Sequence, residues 1–248
     1  MGAPKDHELV RIELTRTLRL LQRRRGHRTG TDDVVCAWAG RRAAPQARRI
    51  LDLGSGHGSV ALMLAGVLPD AEIVAVEVQQ TSFELLCRNV DDNDLSGRIR
   101  PVHGDLRQVD LGDERFDLIT GSPPFMPVGT GPMPRDPQRA AARFELRGGI
   151  EDYCQAASRH LAPNGVVSLL MDASQPDRCL AAFGAAGLHL HSRLAVSPGK
   201  GKPPTYLVYR AALSPPDGPE GARELVVRGP DDAWSPQFSE VRRTLNLP

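Results

Sequence analysis

Residues 50–58 read ILDLGSGHG. The stretch begins as a short apolar run and breaks into glycine at Gly54, Gly56 and Gly58. A buried strand ending in a tight turn is the direct reading, because glycine lets the backbone turn sharply and approach a ligand closely. The turn runs on into HGSVALMLAGVL, which reads as a helix, so the local order is strand, glycine turn, helix. A phosphate loop would carry Lys and then Ser or Thr after its last glycine, and Ser59-Val60 stand there instead.

Working outward, the order repeats. AEIVAVE reads as a second strand, QQTSFELLCRNVDDNDL as a helix, RIRPVHGD as a third strand and FDLIT as a fourth. NGVVSLLMD reads as a fifth strand after one long helix over 139–161, and 177–186 as a further helix. LHLHSRLAV and TYLVYRAAL form a closing pair around SPGKGKPP. Strands alternating with helices imply right-handed crossovers, and hence an α/β fold with a mostly parallel sheet and helices on both faces. Upstream, Leu9, Ile12, Leu14, Leu18 and Leu21 near helical spacing predict an amphipathic helix over 7–25 that ends at Gly26. TDDVVCAWA at 31–39 predicts a second, short helix. The expected division is an N-terminal helical extension over 1–30, a main domain over 31–213, and a loop and tail over 214–248. The composition of SPPDGPEGA at 214–222 is that of a linker or flexible loop.

The whole chain has 248 residues and a net charge of +1, so no global charge draws it toward nucleic acid. Cys36, Cys87, Cys154 and Cys179 lie far apart in apolar stretches, without metal-ligand spacing, and read as buried thiols of a reducing compartment. The N-terminal residues show no apolar signal core, and no apolar run is long enough to span a membrane. A cytoplasmic protein that holds no metal is the expectation.

Ligands on open parallel sheets bind beyond the carboxyl ends of the strands. After the first strand stand Asp52 and the glycine turn. The second strand ends in Glu77, whose carboxylate can accept hydrogen bonds from ribose hydroxyls. The third ends in Gly104-Asp105, where an acid can accept from an adenine amino group, with Leu106 beside it. Each acid also suits a helix cap. Taken together, at one sheet edge and in this order, the run from 50 to 125 resembles the class I S-adenosylmethionine-dependent methyltransferases. ILDLGSGHG is similar to their cofactor loop, AVE to their ribose acid and HGD to their adenine site. The resemblance implies a Rossmann-like seven-stranded sheet. It also implies S-adenosyl-L-methionine as cofactor, held by Asp52, Gly54, Ser55, Gly56, Glu77, Asp105, Leu106 and Ser122.

The fourth strand leads into ITGSPPFMP at 119–127. Two prolines cannot sit inside a central strand, so the strand must end near Gly121 and leave a rigid exposed turn. Ser122, Pro123, Pro124 and Phe125 resemble the (N/D/S)-P-P-(Y/F/W) motif of enzymes that methylate planar nitrogens. By that resemblance these four residues are catalytic. The Ser122 oxygen and the Pro123 carbonyl would accept from an amino group, and Phe125 would stack on a flipped-out base. Serine stands where RNA and protein-glutamine methyltransferases of this kind usually carry asparagine, and it is familiar among DNA amino-methyltransferases.

LLQRRRGHRTGTDDVVCAWAG, with the blocks after it, resembles the bacterial valine-tRNA adenine-N6 methyltransferase group over about 20–212. Gly30-Thr31-Asp32 and Ala37-Trp38-Ala39 carry that part of the resemblance. It implies N-methylation of adenine N6 in a tRNA. A protein glutamine or a small natural product is the alternative acceptor. In this reading Arg28, Thr31 and Asp32 line the pocket. Arg139 and Arg143, with the many arginines of the first segment and Arg135, Arg147, Lys200 and Lys202, form a phosphate-binding rim. A solvated helix face is the other reading of the first arginine cluster.

Overall fold

The computed structural model describes residues 8–218 and 223–248. The first seven residues, and the last four of the linker read at 214–222, lie outside the described residues. The core is an eight-stranded sheet in the order β10-β8-β9-β7-β6-β3-β4-β5. Its strands are β3 (Arg49–Leu53), β4 (Glu72–Glu77), β5 (Ile99–His103), β6 (Phe116–Gly121), β7 (Leu161–Asp172), β8 (His189–Gly199), β9 (Tyr206–Ala212) and β10 (Arg223–Arg228). Only β9 runs against the rest, pairing antiparallel with β7 and β8. The sheet thus has one strand more than the seven expected. The extra strand is β10, which pairs parallel with β8 beyond the boundary drawn at 213.

Alternate residues of each strand feed opposite cores, as the period of two requires. Ile50, Ile73, Leu118 and Leu170 point to the face covered by α1 (Thr31–Ala43), α2 (Ser59–Val67), α3 (Gln80–Asp91) and α7 (Pro236–Thr244). Leu51, Val74, Ile119 and Leu169 point to the face covered by α5 (Ile150–His160) and α6 (Pro176–Ala185). Among the described residues all four cysteines are free thiols, Cys36, Cys154 and Cys179 fully buried. No helix of the described residues is long and apolar enough to cross a membrane.

Two elements depart from the sequence expectation. Residues 9–23 are not a helix. They form a hairpin of β1 (Leu9–Glu13) and β2 (Arg19–Arg23), in register Arg11 with Leu21. In β1 the burial alternates strictly, Val10 and Ile12 against Leu9, Arg11 and Glu13, which is a strand's pattern. At the turn the Thr15 hydroxyl accepts from Leu18 N at 3.0 Å, a local bond that competes with helix. Nor are residues 139–161 one helix. α4 (Pro137–Arg143) stops at Phe144, which is extended (φ −107°, ψ 142°) and fully buried. A new helix, α5, starts only after Gly148, whose φ is +108°.

Candidate active site

The glycine turn after β3 takes the left-handed backbone at Gly54 (φ +65°) and Gly56 (φ +58°), a region L side chains avoid. A Cβ on Gly54 would lie 2.1 Å from the Tyr153 hydroxyl, so this position is closed to any side chain. The turn forms one wall of a cleft of about 1030 Å³, open solvent at its mouth included. Asp52, Gly54, Ser55, Gly56, Glu77, Asp105, Leu106 and Ser122 through Phe125 all line that cleft. The chain thus gathers nominated residues from the ends of β3, β4, β5 and β6 in one place, as a parallel sheet should.

The hydrogen bonds explain how each is held. Asp52 is buried and accepts from Ser55 Oγ at 2.6 Å and Thr120 Oγ1 at 2.7 Å. Glu77 is buried and accepts from Gly56 N at 2.8 Å and Gln79 N at 2.6 Å, so this acid and the glycine turn brace one another. Asp105 receives the Arg107 guanidinium through Nε at 2.9 Å and Nη2 at 2.6 Å. That pairing holds its carboxyl below the usual range. Arg107 N also donates to Asp105 Oδ1 at 3.0 Å, so Arg107 takes three of the roughly four lone-pair sites a carboxylate offers and leaves one, on Oδ2.

Five carboxylates line the cleft: Asp32, Asp33, Asp52, Glu77 and Asp105. Burial, with Asp33 alongside, pushes Asp32 up to about 6. Burial also pushes Asp52 up to about 6, against the hydrogen bonds from Ser55 and Thr120. Glu77 rises for the same reason. His57 adds no compensating charge. Burial, with His27 edge-on at 5.5 Å, pulls it down to about 4, and its Nδ1 is buried without a partner. Buried close together, Asp32, Asp52 and Glu77 thus resist ionisation, and a cation beside them would favour their charged forms.

The turn at Ser122–Phe125 is not the fully exposed element that two prolines suggested. Pro123 is buried, and Ser122, Pro124 and Phe125 are half-buried against the cleft. The Phe125 ring lies 5.7 Å from Tyr206 at a 45° tilt. Its carbonyl accepts from Gln175 Nε2 at 2.8 Å. Among the described residues no group hydrogen-bonds the Ser122 hydroxyl, which leaves it available to a ligand in the cleft.

Arg28, Arg139 and Arg143 do not line the cleft. They line a neighbouring basin with Arg24 and Arg25, and His27 belongs to both. Arg24 of the basin also pairs with Glu8 at 2.9 Å, and other arginines of the first segment are engaged elsewhere, Arg23 with Asp136 at 2.8 Å and Arg11 with Asp92. Thr31 opens α1 and lines neither space, whereas Asp32 and Asp33 line the cleft. Of the other nominated basic groups, Arg147 lines the cleft, while Arg135, Lys200 and Lys202 line neither.

Tyr153 and His27 were not nominated from the sequence. Tyr153 projects from α5 against Gly54 and Gly121. Burial first, then Glu77 and Asp52, raise its phenol far above the ordinary value, so it stays protonated. Its signal in the sequence is only a tyrosine on the apolar stripe of a helix.

Residues 40–131 match the model of the methyltransferase small domain. The tRNA1(Val) (adenine(37)-N6)-methyltransferase of Aeromonas hydrophila is 31% identical over 218 residues, which cover 86% of this chain and 88% of that protein. The release factor glutamine methyltransferase of Geobacter sulfurreducens is 33% identical over 59% of this chain and 53% of its own. Among solved structures, a predicted O-methyltransferase from Agrobacterium tumefaciens has a TM-score of 0.65 at 21% identity, covering 88% of this chain and 98% of that one, a likeness of fold. With the class I sheet, the glycine turn and the acids that follow its strands in place, the chain belongs to the tRNA1(Val) (adenine(37)-N6)-methyltransferase family of S-adenosylmethionine-dependent enzymes.

Proposed function

We propose that this protein transfers a methyl group from S-adenosylmethionine to the N6 amino group of an adenine in a tRNA. The observation that carries the reading is the meeting of three features. The SPPF turn after β6 and the glycine turn after β3 line one cleft, and an arginine basin adjoins it through His27.

The residues present fit the cofactor. When bound, S-adenosylmethionine supplies an electrophilic methyl on a sulfonium and also carries an ammonium group. The acid-rich cleft, whose carboxyls resist ionising alone, is the complement of such a cation. Gly54 and Gly56 would let the backbone lie against the amino-acid portion, Glu77 would accept from the ribose hydroxyls, and Asp105 from the adenine.

The chain's own work is positioning. An exocyclic amino nitrogen shares its lone pair with the ring and is a weak nucleophile. Ser122 Oγ and the Pro123 carbonyl would accept its two N–H groups, draw the nitrogen toward tetrahedral geometry and aim the lone pair. The surplus proton of the methylated nitrogen would pass by way of the Ser122 hydroxyl to solvent at the cleft mouth. Phe125, half-buried and propped by Tyr206, would offer its free face to the base. Arg28, Arg139 and Arg143 would hold flanking phosphates. A glutamine acceptor also has a planar amide for the SPPF turn, but it has no phosphates for the basin.

The test is transfer of radiolabelled methyl from S-adenosylmethionine to tRNA lacking the modification, followed by digestion to nucleosides. Label in N6-methyladenosine is the expected result. Label in protein alone would overturn the acceptor assignment.

A further inference from the structure

The segment from Met126 to Arg147 connects the SPPF turn to α5, and its two feet are tied together. Met126 N donates to the Arg143 carbonyl at 2.9 Å, and Glu145 N donates to the Met126 carbonyl at 2.9 Å. Arg178 grips Glu145 through Nη1 at 2.7 Å and Nη2 at 3.0 Å. Between the feet the chain is shaped: the Pro127 carbonyl accepts from Thr130 N at 3.2 Å and Thr130 Oγ1 at 2.7 Å.

Phe144 anchors the segment in the core, whereas three of its large apolar side chains face outward. Val128 is 60% exposed, Met133 47% and Leu146 42%. They are three of the six large hydrophobics exposed among the described residues. Isolated apolar groups on a surface need no explanation, but such a concentration on one braced loop does. The C-terminal part of this segment lines the cleft at Ala141, Ala142 and Arg147 and the basin at Arg139 and Arg143, and Phe125 of the cleft adjoins its other end. The loop therefore springs from their shared rim. An occupant that meets arginines and apolar side chains together has charge outside and stacked rings inside, and RNA is such an occupant.

We propose that Val128 and Met133 enter the base stack of the RNA and fill the gap left when the target adenine swings into the cleft. The inference rests on the RNA reading given above. Architectural nucleic-acid proteins insert apolar side chains between base steps and offset the cost of unstacking with added contact surface, and base-modifying enzymes take the target base out of the stack.

The experiment uses the full-length chain and a folded tRNA substrate with 2-aminopurine beside the target adenine, a base that brightens when its neighbour leaves the stack. Wild-type protein should raise the fluorescence on binding. The V128S/M133S double variant should lose that rise and turn over more slowly than wild type. Its affinity for S-adenosylmethionine should match wild type, which shows that it is folded. V128I/M133L, apolar but reshaped, should restore both signals. A serine variant that behaves as wild type overturns the inference, and so does an apolar variant that fails as badly as the serine one. Wild-type protein that labels no RNA overturns the acceptor assignment and this inference with it. Wild-type protein that labels RNA, alongside loop variants that match it, overturns this inference alone.

Discussion

Asn89 on α3 binds Leu21 on β2 as a neighbouring strand would. Its Oδ1 accepts from Leu21 N at 2.7 Å, and its Nδ2 donates to the Leu21 carbonyl at 2.9 Å. Asn93, one turn on, does the same to Arg19 at 2.8 and 2.7 Å. Asn89 Nδ2 also donates to the His57 carbonyl at 2.8 Å, inside the glycine turn after β3. The hairpin is therefore locked to the wall of the cleft through one buried amide. Asn89→Ala should cost about 1–3 kcal/mol, because it strands buried backbone groups on both partners. Urea denaturation reads the loss, and amide exchange at Leu21 should accelerate well beyond that at Ile50. Equal acceleration at both would mean that the asparagine supports the fold as a whole and not the hairpin.

Ser122→Ala and Phe125→Ala should separate chemistry from cofactor binding. The first removes one acceptor from the reacting amino group, and a fall in turnover of about 10²-fold is expected by analogy with loss of one oriented polar group. The second removes a stacking face worth about 1–3 kcal/mol, felt mainly as weaker RNA binding. Isothermal titration with S-adenosylmethionine should give near wild-type affinity for both. If cofactor binding collapses instead, the turn is a structural brace.

If the raised acids face the bound cofactor, its binding should depend on pH. In the free protein Asp32 and Asp52 hold protons up to about 6, against 3.8 for an ordinary Asp. Their contribution to stability is thus present below the unfolded value and is lost as pH rises through about 6. A cation in the cleft favours the ionised forms and reverses that loss. Affinity for S-adenosylmethionine should therefore grow between about pH 5 and about pH 7, and the rise in Tm on saturation should be larger at the upper end. S-adenosylhomocysteine, which lacks the sulfonium charge, should show a flatter profile. Affinity that falls with pH would mean that the acids do not face the cation.

The arginine basin should be visible as salt dependence. Arg139→Ser with Arg143→Ser removes two candidate phosphate ligands. RNA affinity should drop, and the slope of its logarithm against that of salt concentration should flatten by roughly 0.7–0.9 for each phosphate no longer neutralised. Methyl transfer at saturating RNA should change little in comparison. An unaltered slope would place the phosphates elsewhere.

What the sequence disclosed follows from how local each signal is. The turn at 50–58 declares itself because strand, left-handed glycine and helix are consecutive, and Glu77 and Asp105 then fall at the same sheet edge. The hairpin at 9–23 was hidden because Leu14, Leu18 and Leu21 fit helical spacing equally well. What decides the matter are bonds to Asn89 and Asn93, some seventy residues away in sequence. The break between α4 and α5 did have a local sign, the Gly148-Gly149 pair, but the burial of Phe144 that enforces it is tertiary. Tyr153 reaches Gly54 only through the packing of α5 on the sheet, and no motif announces that.

The far edge of the sheet shows the same economy as the hairpin. Val226 of β10 turns its N–H to Gln237 Oε1 at 2.9 Å and its carbonyl to the Ser235 hydroxyl. Ser235 N donates to the Val227 carbonyl at 3.0 Å. The first turn of α7 thus occupies hydrogen-bonding positions that another strand would otherwise take. A chain cut short before α7 would bare them, along with the apolar face that Phe238 and Val241 cover. The last residues therefore guard against polymerisation: they stop one molecule's sheet from continuing into the next.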